Sequence, residues 1–293
     1  MGRMSRTELK YFILSFFAAI LSLAFVFLFL MSGVGTPLPN LAGEGAASTP
    51  TPYQPIPEDA LNLLILGGQP GGVNTFLLVR FDPASQRVIL APIPAGTLLT
   101  HNQEGETLAE AVRFGGAAYA RGALASTLGI TIDRFAALTP AAFAQAVGIV
   151  GSFELNLEDG ASIRDGGVSL TLGSGVHLLD GRAALALISY EGYPGGEQER
   201  LAMLSAIAAA AVNQRMDIAN STLFAEIFGS VVNLIETDIT FSDFAGRVSA
   251  AQYLAGLAHP VAHEVWVVGS LDPQTGAFIL SDTAIAYLSL LFV

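Results

Sequence analysis

The sequence predicts an α/β fold, an α-β-α sandwich with a central mixed sheet, preceded by one N-terminal transmembrane helix. Three observations support this prediction. Short strand-like runs and longer helical segments alternate irregularly, which favours a mixed sheet with helices on both faces. No internal repeat interrupts the alternation, and an uncharged apolar segment stands near the N-terminus.

The first strands of the sheet are the clearest elements. An apolar strand is predicted at Leu61–Leu66, and a glycine-rich stretch from Gly67 to Gly72 follows it as a loop. A second strand is predicted at Thr75–Phe81, a turn at Asp82-Pro83, and a third strand at Arg87–Ala91. The loop lacks the spacing of phosphate-binding or dinucleotide-binding glycine motifs, so we interpret it as a plain connection.

Later elements are predicted from helix caps and apolar periodicity. Thr139 followed by Pro140 predicts a helix start, and Ser242 is the predicted N-cap of another helix. The predicted helices are 107–113, a segment ending near 128, 140–147, Arg182–Tyr190, Glu197–Asn213, Leu223–Ile235 and Ser242–Leu257. The predicted strands are 136–138, Ser152–Leu157, Glu264–Gly269 and Ala277–Leu280.

Residues 11–32 predict a membrane anchor. They contain no charged residue, and about 20 apolar residues in a helix span the ~30 Å hydrocarbon core of a bilayer. The stretch is longer than the ~7–15 apolar residues of a secretory signal peptide. We therefore predict an uncleaved transmembrane helix, and a cleaved signal peptide is the alternative.

The charges around this segment predict its orientation. Arg3, Arg6 and Lys10 precede it, so the positive-inside rule places residues 1–10 in the cytoplasm and the rest of the chain outside the cell membrane. Residues 33–58 are rich in Gly, Pro, Ser and Thr and are predicted to be a linker. Residues 59–293 are long enough for one extracytoplasmic domain with its own core.

The formal net charge of −12 excludes some function classes. Binding to nucleic acid needs clustered Lys and Arg, so neither DNA nor RNA is an expected partner. Cysteine is absent, which rules out disulfides and thiolate chemistry. His259 and His263 have a spacing that can hold a metal on a helix, but Pro260 breaks that helix and no third ligand is evident. No metal site is predicted.

Several motifs occur in the order found in a known family. The opening strands are followed by Ala118–Gly122, by GITIDRF at Gly129–Phe135, by LTLGSGVHLLDGRAALAL at Leu170–Leu187, and by Asn233–Leu257. Each motif alone is weak, but their order and spacing together are specific. Over residues 60–260 the chain resembles the LytR-CpsA-Psr family, also called cell envelope-related transcriptional attenuators.

The resemblance implies an enzyme class, a substrate and a ligand set. Members of the family transfer a glycopolymer from a polyprenyl diphosphate carrier to the peptidoglycan of the cell wall. They are membrane-anchored and face outward; acidic residues hold Mg²⁺, arginines bind the diphosphate, and the polyprenyl tail lies in an apolar tunnel. Arginine suits this role because its planar guanidinium matches phosphate oxygens bidentately.

This chain departs from the family pattern where the charges should stand. Asn74 occupies the place of an early acid, Ala95-Gly96 that of an Arg-Asp pair, and Glu191 that of an arginine. Arg200 is the arginine that stays in register with its motif. The resemblance therefore implies that the fold is retained while most charged residues of the family's site are replaced. No residue is assigned as catalytic.

The candidates for binding a substrate or its phosphate are Arg200, Arg113, Arg121, Asn74 and Thr75. Each has a plainer interpretation as well. Arg200 could be a surface arginine paired with Glu197 on the same helix face. Arg113 and Arg121 could be solvated, and Asn74 and Thr75 could end a loop and start a strand.

Two hypotheses on function stay open, and a purely structural anchor is a third. The first is a non-catalytic envelope protein of the cell membrane, a pseudoenzyme that binds a polyprenyl phosphate or diphosphate lipid, a wall polymer or an envelope protein. The alternative is an active phosphotransferase with a rearranged site, built from Arg113, Arg121 and Arg200 with Mg²⁺ held by displaced carboxylates. No cofactor is expected unless this alternative holds.

Overall fold

The structure, a computed structural model, describes residues 53–100, 105–165 and 168–293. The transmembrane helix predicted at 11–32 and most of the linker predicted at 33–58 lie outside the described residues. Within the described part of the chain, no helix is both long and apolar enough to cross a bilayer. A single compact unit extends from Pro52 to the C-terminus.

Strands and helices alternate irregularly along this unit. The strands are β1 (Leu61–Gln69), β2 (Gly72–Asp82), β3 (Arg87–Pro92), β4 (Leu98–Leu99), β5 (Glu106–Thr107), β6 (Arg134–Leu138), β7 (Phe153–Leu157), β8 (Ala161–Asp165), β9 (Val168–Leu172), β10 (Gly175–Leu179), β11 (Glu236–Thr237), β12 (Ala262–Glu264), β13 (Gly269–Leu271) and β14 (Phe278–Leu280). The helices are α1 (Leu108–Leu128), α2 (Pro140–Val150), α3 (Gly181–Ser189), α4 (Gly196–Arg215), α5 (Phe224–Val232), α6 (Phe241–Ala245), α7 (Val248–Ala255) and α8 (Asp282–Leu291). Helix α1 contains a break at Gly116, so it corresponds to the two helical segments predicted before residue 128.

The central sheet has the strand order β11-β6-β1-β2-β3-β12. Strands β1, β2 and β3 form an antiparallel meander, whereas β6 lies parallel to β1 and β12 lies parallel to β3. Parallel and antiparallel pairs therefore occur in one sheet. The predicted α/β fold with a central mixed sheet is confirmed.

Hydrophobic residues on the two faces of the meander form two cores. Successive side chains of a strand point to opposite faces. Leu64, Phe76 and Ile89 accordingly join one cluster, whereas Leu77 and Leu90 join the other. The first core also contains buried residues of α1 and α8, and the second contains buried residues of α3, α4 and α7. Helices therefore cover both faces, which explains why these strands are almost continuously apolar.

The glycine-rich stretch is a hairpin and not the plain loop that the sequence predicts. Strand β1 continues to Gln69 and β2 begins at Gly72, with a register shift between Gly67 and Gly68. Gly68 has a φ angle of +151°, and a Cβ atom there would lie 2.7 Å from the Gly72 carbonyl oxygen. No side chain fits this close approach, so the bulge requires a glycine.

The region after Thr240 also differs from the prediction. The helix predicted at Ser242–Leu257 is divided into α6 and α7, and the N-cap of α6 is Thr240 rather than Ser242. The Thr240 hydroxyl accepts a hydrogen bond from the Asp243 amide (3.1 Å), and the Asp243 carboxylate accepts one from the Thr240 amide (2.8 Å). This reciprocal capping box satisfies two backbone donors at once, which favours Thr240 as the start.

The C-terminal region contains two further differences. The strand predicted at Glu264–Gly269 is wrong. Strand β12 ends at Glu264, the Val265 amide makes one more bond to the Leu90 carbonyl of β3 (2.8 Å), and β13 pairs with β14 instead. Helix α8, whose N-cap is Ser281, has no counterpart in the sequence prediction. Leu288 and Phe292 of this region are buried in the first core, so it is an integral part of the domain.

Asn62 connects the first strand to the end of the chain. The residue is 4% exposed, and its amide nitrogen donates to the carbonyl oxygens of Thr131 and Phe292, each at 2.8 Å. Its amide oxygen accepts a hydrogen bond from Arg80 Nη1 at 3.1 Å. Buried polar atoms are stable only when they are paired. The start of β1 therefore depends on a carbonyl group 230 positions further along the chain.

Candidate functional site

An apolar cavity of about 310 Å³ lies where β1 ends and β2 begins. Its walls are formed by three helices, through Phe143 and Val147 of α2, Leu185 and Ile188 of α3, and Leu204 and Ile207 of α4. Cavities that bind small molecules typically measure about 300–1,000 Å³ and are lined mainly by apolar side chains. The cavity is therefore large enough for a ligand and suited to an apolar one.

A second pocket, of about 330 Å³, adjoins the apolar cavity at Asn74, which lines both. Its other lining residues are Ala95, Glu191, Gly196, Glu197 and Arg200. We call it the polar pocket. Of the described residues that line it, Arg200 is the single cation and the two glutamates are the anions. The apolar cavity and the polar pocket together form the candidate site.

Arg200 lies in the first turns of α4 and is only 3% exposed. Its Nε and Nη2 donate to the two carboxylate oxygens of Glu197, at 2.8 and 2.7 Å. Nη1 donates to Thr75 Oγ1 and to the Ile188 carbonyl, both at 3.2 Å, and Nη2 also donates to the Asn74 carbonyl at 2.9 Å. A guanidinium has five N–H donors, and these contacts use all of them.

These contacts give Arg200 a structural role. They join α4 to the start of β2, through Thr75 and Asn74, and to the end of α3, through Ile188. The Glu197 carboxylate binds the Nε–Nη2 edge bidentately, in the geometry that the guanidinium otherwise offers to a phosphate. An anion of the protein itself therefore occupies the binding edge of the one cation in the polar pocket.

The structure brings three of the five candidate residues together. Arg200 contacts Asn74 and Thr75, although 125 positions separate Arg200 from Thr75. The sequence interpretation of Arg200 as a surface residue paired with Glu197 is half correct: the pair is present, but the guanidinium is buried. The Thr75 hydroxyl donates to Asn74 Oδ1 (3.1 Å), and Asn74 Nδ2 donates to Glu191 Oε1 over a longer 3.4 Å. Both residues belong to β2: Thr75 pairs with Gly67 of β1, whereas Asn74 is the extra residue at the register shift.

Arg113 and Arg121 lie on α1, where other groups hold them. Arg113 has 57% of its side chain exposed, and its guanidinium carbon lies 4.6 Å from the centre of the Phe114 ring. Arg121 forms an ion pair with Asp238. Neither arginine is among the described residues that line the apolar cavity or the polar pocket. The structure therefore does not bring them to Arg200.

The loop between α3 and α4 holds Tyr193 inward. The Tyr193 hydroxyl donates to the Leu187 carbonyl (2.8 Å), and its ring packs edge-on against Tyr190 with 5.1 Å between centroids. Burial, together with the negative charge of Glu199, raises the pKa of the Tyr193 hydroxyl to about 12. Tyr193 therefore stays protonated at neutral pH and stabilises the loop beside the polar pocket.

The residues of the polar pocket do not fit the Mg²⁺ ion that the family resemblance implies. Magnesium binds through several oxygen ligands, commonly carboxylates. Both Glu197 oxygens accept hydrogen bonds from Arg200, which leaves Glu191 as the one carboxylate available among the described lining residues. Within the described ranges, no group of three or more His, Asp or Glu side chains is placed to hold a metal.

Sequence reasoning did not identify the walls of the apolar cavity. Leu185, Ile188, Leu204 and Ile207 stand at the helical spacing of an apolar face, which is equally typical of a packed core. The spacing of Glu197 and Arg200, at i and i+3 of a helix, does predict their ion pair. The partners Asn74 and Ile188 contribute backbone carbonyls, which leave no signal in the sequence.

These described residues form a mixed α/β domain in which an apolar cavity adjoins a small charged pocket. The model of the LytR_cpsA_psr family matches residues 52–258 of the chain. The chain therefore belongs to the LytR-CpsA-Psr family, in agreement with the order of its motifs. Among curated proteins, none matches the chain in sequence.

Solved structures from several bacteria have a similar fold. A protein from Eubacterium siraeum has a TM-score of 0.74 and 14% identity, and the match covers 88% of this chain and 98% of that protein. TagV from B. subtilis has a TM-score of 0.67 and 19% identity, with 80% and 95% covered. A transcriptional regulator from Enterococcus faecalis has a TM-score of 0.67 and 18% identity, with 80% and 87% covered. At these identities the similarity shows the fold alone.

Proposed function

We propose that this protein is a non-catalytic lipid-binding member of the family, which holds the apolar chain of a polyprenyl lipid in the apolar cavity. In this proposal residues 11–32 anchor it in the cell membrane, with the N-terminus in the cytoplasm and the domain outside. The observation that carries the proposal is the contrast within the site: the apolar cavity is open to a ligand, whereas all five donors of Arg200 are already used.

The walls of the apolar cavity support binding of a hydrocarbon chain. Phe143, Leu204 and Ile207 present apolar surface with few polar atoms to fix a polar ligand. Each methylene group removed from water contributes about 0.8 kcal/mol. An isoprene unit that enters the cavity therefore contributes a few kcal/mol without needing any charged contact.

The polar pocket supports a non-catalytic role. Transfer of a diphosphate-linked polymer needs cations that stabilise charge on the leaving diphosphate. Charge-assisted hydrogen bonds contribute about 1.5–3 kcal/mol each, and each loss of about 1.4 kcal/mol slows a reaction tenfold. Arg200 is bound to Glu197, and Arg113 and Arg121 lie elsewhere on α1, so none of these three arginines is free to supply this stabilisation in the polar pocket.

The test is lipid binding by the full-length chain in detergent micelles. Native mass spectrometry would be recorded with a series of geranylgeranyl compounds that share one chain: the alcohol, the monophosphate and the diphosphate. We expect stoichiometric binding of at least one of them, and no release of phosphate from the diphosphate above a control without protein. Phosphate release that Arg200→Ala abolishes would favour the active phosphotransferase instead.

A pair of variants on α4 locates the binding. Ala208 lines the apolar cavity, whereas Ala202, half-buried on the same helix, does not. Ala208→Phe fills the cavity and should weaken binding at least tenfold, and Ala202→Phe should leave it within about twofold. Equal binding by both variants, or no binding of any compound by the unaltered chain, would contradict the proposal.

A further inference from the structure

We propose that the polar pocket excludes a phosphorylated head: its ligand is a long-chain amphiphile that ends in a hydroxyl group and carries no phosphate. Glu197 is the residue that imposes this selection. The inference rests on the proposed function, because the apolar chain of the same ligand occupies the apolar cavity. It adds the chemical class of the head.

The first argument concerns donors. An oxyanion is held by hydrogen-bond donors, and in the polar pocket the strongest donors belong to Arg200. All five are used, and two of them bind the carboxylate of Glu197 at 2.8 and 2.7 Å. A phosphate could bind Arg200 only by displacing Glu197, which would then stand beside the phosphate as a second anion.

The second argument concerns charge. The described residues that line the polar pocket include the carboxylates of Glu191 and Glu197 and the guanidinium of Arg200. Glu197 neutralises Arg200, so the carboxylate of Glu191 leaves the polar pocket with one net negative charge. A phosphorylated head is repelled by it.

The third argument concerns acceptors. Glu191 makes one contact with Asn74 at the long distance of 3.4 Å, so its carboxylate can accept a further hydrogen bond. Asn74 lines both the polar pocket and the apolar cavity. A hydroxyl at the end of a chain that leaves the apolar cavity therefore reaches an acceptor at once, and it brings one donor and no charge. This is the head that the polar pocket fits.

The experiment compares three ligands on one chain length: geranylgeraniol, geranylgeranyl monophosphate and geranylgeranyl diphosphate. Their dissociation constants would be measured on the full-length protein in non-ionic detergent at low salt, where charge effects are least screened. We expect the alcohol to bind at least tenfold more tightly than either phosphorylated compound. Equal or tighter binding of either phosphorylated compound would overturn the inference.

Glu197→Gln then tests the assigned residue. The substitution removes the anion from the binding edge of Arg200, so affinity for the monophosphate should rise at least tenfold while affinity for the alcohol stays within twofold. Glutamine keeps one acceptor oxygen for Arg200 and its position is 46% exposed, so we expect the variant to fold with reduced stability, and a thermal scan verifies this. Glu226→Gln, an exposed glutamate on α5, is the control and should change neither affinity. An unchanged ratio in Glu197→Gln would remove Glu197 from the proposal.

The outcomes separate the two proposals. A chain that binds none of the three ligands overturns the proposed function and this inference together. A chain that binds the monophosphate best, with binding lost in Ala208→Phe, keeps the proposed function and overturns the inference alone.

Discussion

The apolar cavity and the polar pocket share Asn74 but are built in opposite ways. In the apolar cavity, side chains such as Phe143 and Leu204 face an open volume, and a ligand can complete their contacts. In the polar pocket, Arg200 and Glu197 complete each other's contacts. The apolar cavity therefore leaves apolar side chains without packing partners, whereas in the polar pocket the two main charged groups are already paired with each other.

The difference shows how a buried cation is held without a ligand from outside the chain. A buried guanidinium that loses its anionic ligand leaves an uncompensated charge, which is strongly destabilising. Glu197 supplies the missing anion from one turn earlier on the same helix. The scaffold keeps its cation, and the ligand-binding edge of that cation becomes part of the internal structure.

Replacing Arg200 tests this pairing most strongly. Arg200→Met removes five hydrogen bonds, including those to the Ile188 and Asn74 carbonyls. Each buried polar group left unpaired costs about 1–3 kcal/mol. We expect a total loss of about 3 kcal/mol in the free energy of unfolding and a melting temperature lower by about 6–12 °C. Thermal unfolding of the full-length chain in detergent measures this change.

The matched control for this prediction is Arg182→Met. Arg182 is exposed at the start of α3, so its replacement should change the free energy of unfolding by less than about 0.5 kcal/mol. If both variants unfold at the same temperature, the hydrogen bonds of Arg200 are not what stabilises the polar pocket, and the comparison between the two regions fails.

A glycine where α3 packs against α2 gives the next largest effect. At Gly181 of α3, a Cβ atom would lie 2.3 Å from the Ala144 carbonyl oxygen of α2, so Gly181→Ala forces the two helices apart. We expect a loss of about 2 kcal/mol and altered affinity for the lipid probes. Gly148→Ala, also on α2, meets nothing within 4 Å and should stabilise the chain by about 0.5–1 kcal/mol. Effects of the same sign would contradict the close α2–α3 contact.

A second bidentate pair shows what such a pair contributes outside the candidate site. Arg134 Nε and Nη2 donate to the carboxylate of Asp243 at 2.8 and 3.0 Å. These bonds, with those from Thr240, hold the pKa of the Asp243 carboxyl well below its usual range. Asp243→Asn should cost about 1.5 kcal/mol at neutral pH. The exposed Asp217→Asn, measured in the same way, should cost less than about 0.5 kcal/mol.

The pH dependence of this pair has a definite sign. The pKa of Asp243 is lower in the folded chain than the value of about 3.9 in an unfolded one. Its contribution is therefore fully present above pH ~4 and is lost as the pH falls below that value towards the folded pKa. The difference in melting temperature between the unaltered chain and Asp243→Asn should shrink on acidification below pH ~4. A difference that grows there would contradict the assignment.

The smallest effect is expected at Arg113. Its side chain is 57% exposed, so Arg113→Ala should change the free energy of unfolding by less than about 0.5 kcal/mol and should leave lipid affinity unchanged. The same binding assay used for Ala208→Phe measures the second quantity. A clear loss of affinity would mean that Arg113 contacts the ligand. The polar pocket would then extend beyond Asn74, Glu191 and Glu197.

Much of the fold follows from local patterns in the sequence. The meander of β1, β2 and β3 was predictable because its strands are apolar and end at glycine, Asp-Pro and proline residues. The division of α6 from α7 was harder to predict, because it depends on reciprocal bonds between Thr240 and Asp243. The end of β12 was hidden for another reason: the run from Glu264 to Gly269 is apolar and β-branched whether or not it stays in the sheet.

The candidate site was predictable only in part. Motif order pointed to Arg200, Asn74 and Thr75, and the structure places these residues in contact. That Arg200 is fully occupied could not be read from the sequence, because two of its partners are carbonyl groups that every residue has. Its burial likewise depends on how α3 and α4 pack against β2, which no local pattern specifies.

The contact between Asn62 and Phe292 has a consequence for biosynthesis. Asn62 belongs to the first strand, yet one of its acceptors is the carbonyl of Phe292, 230 positions later. During synthesis, which proceeds from the N-terminus, β1 remains without this partner until Phe292 has left the ribosome. The first strand of the domain is therefore made early, but one of its buried hydrogen bonds can form only late.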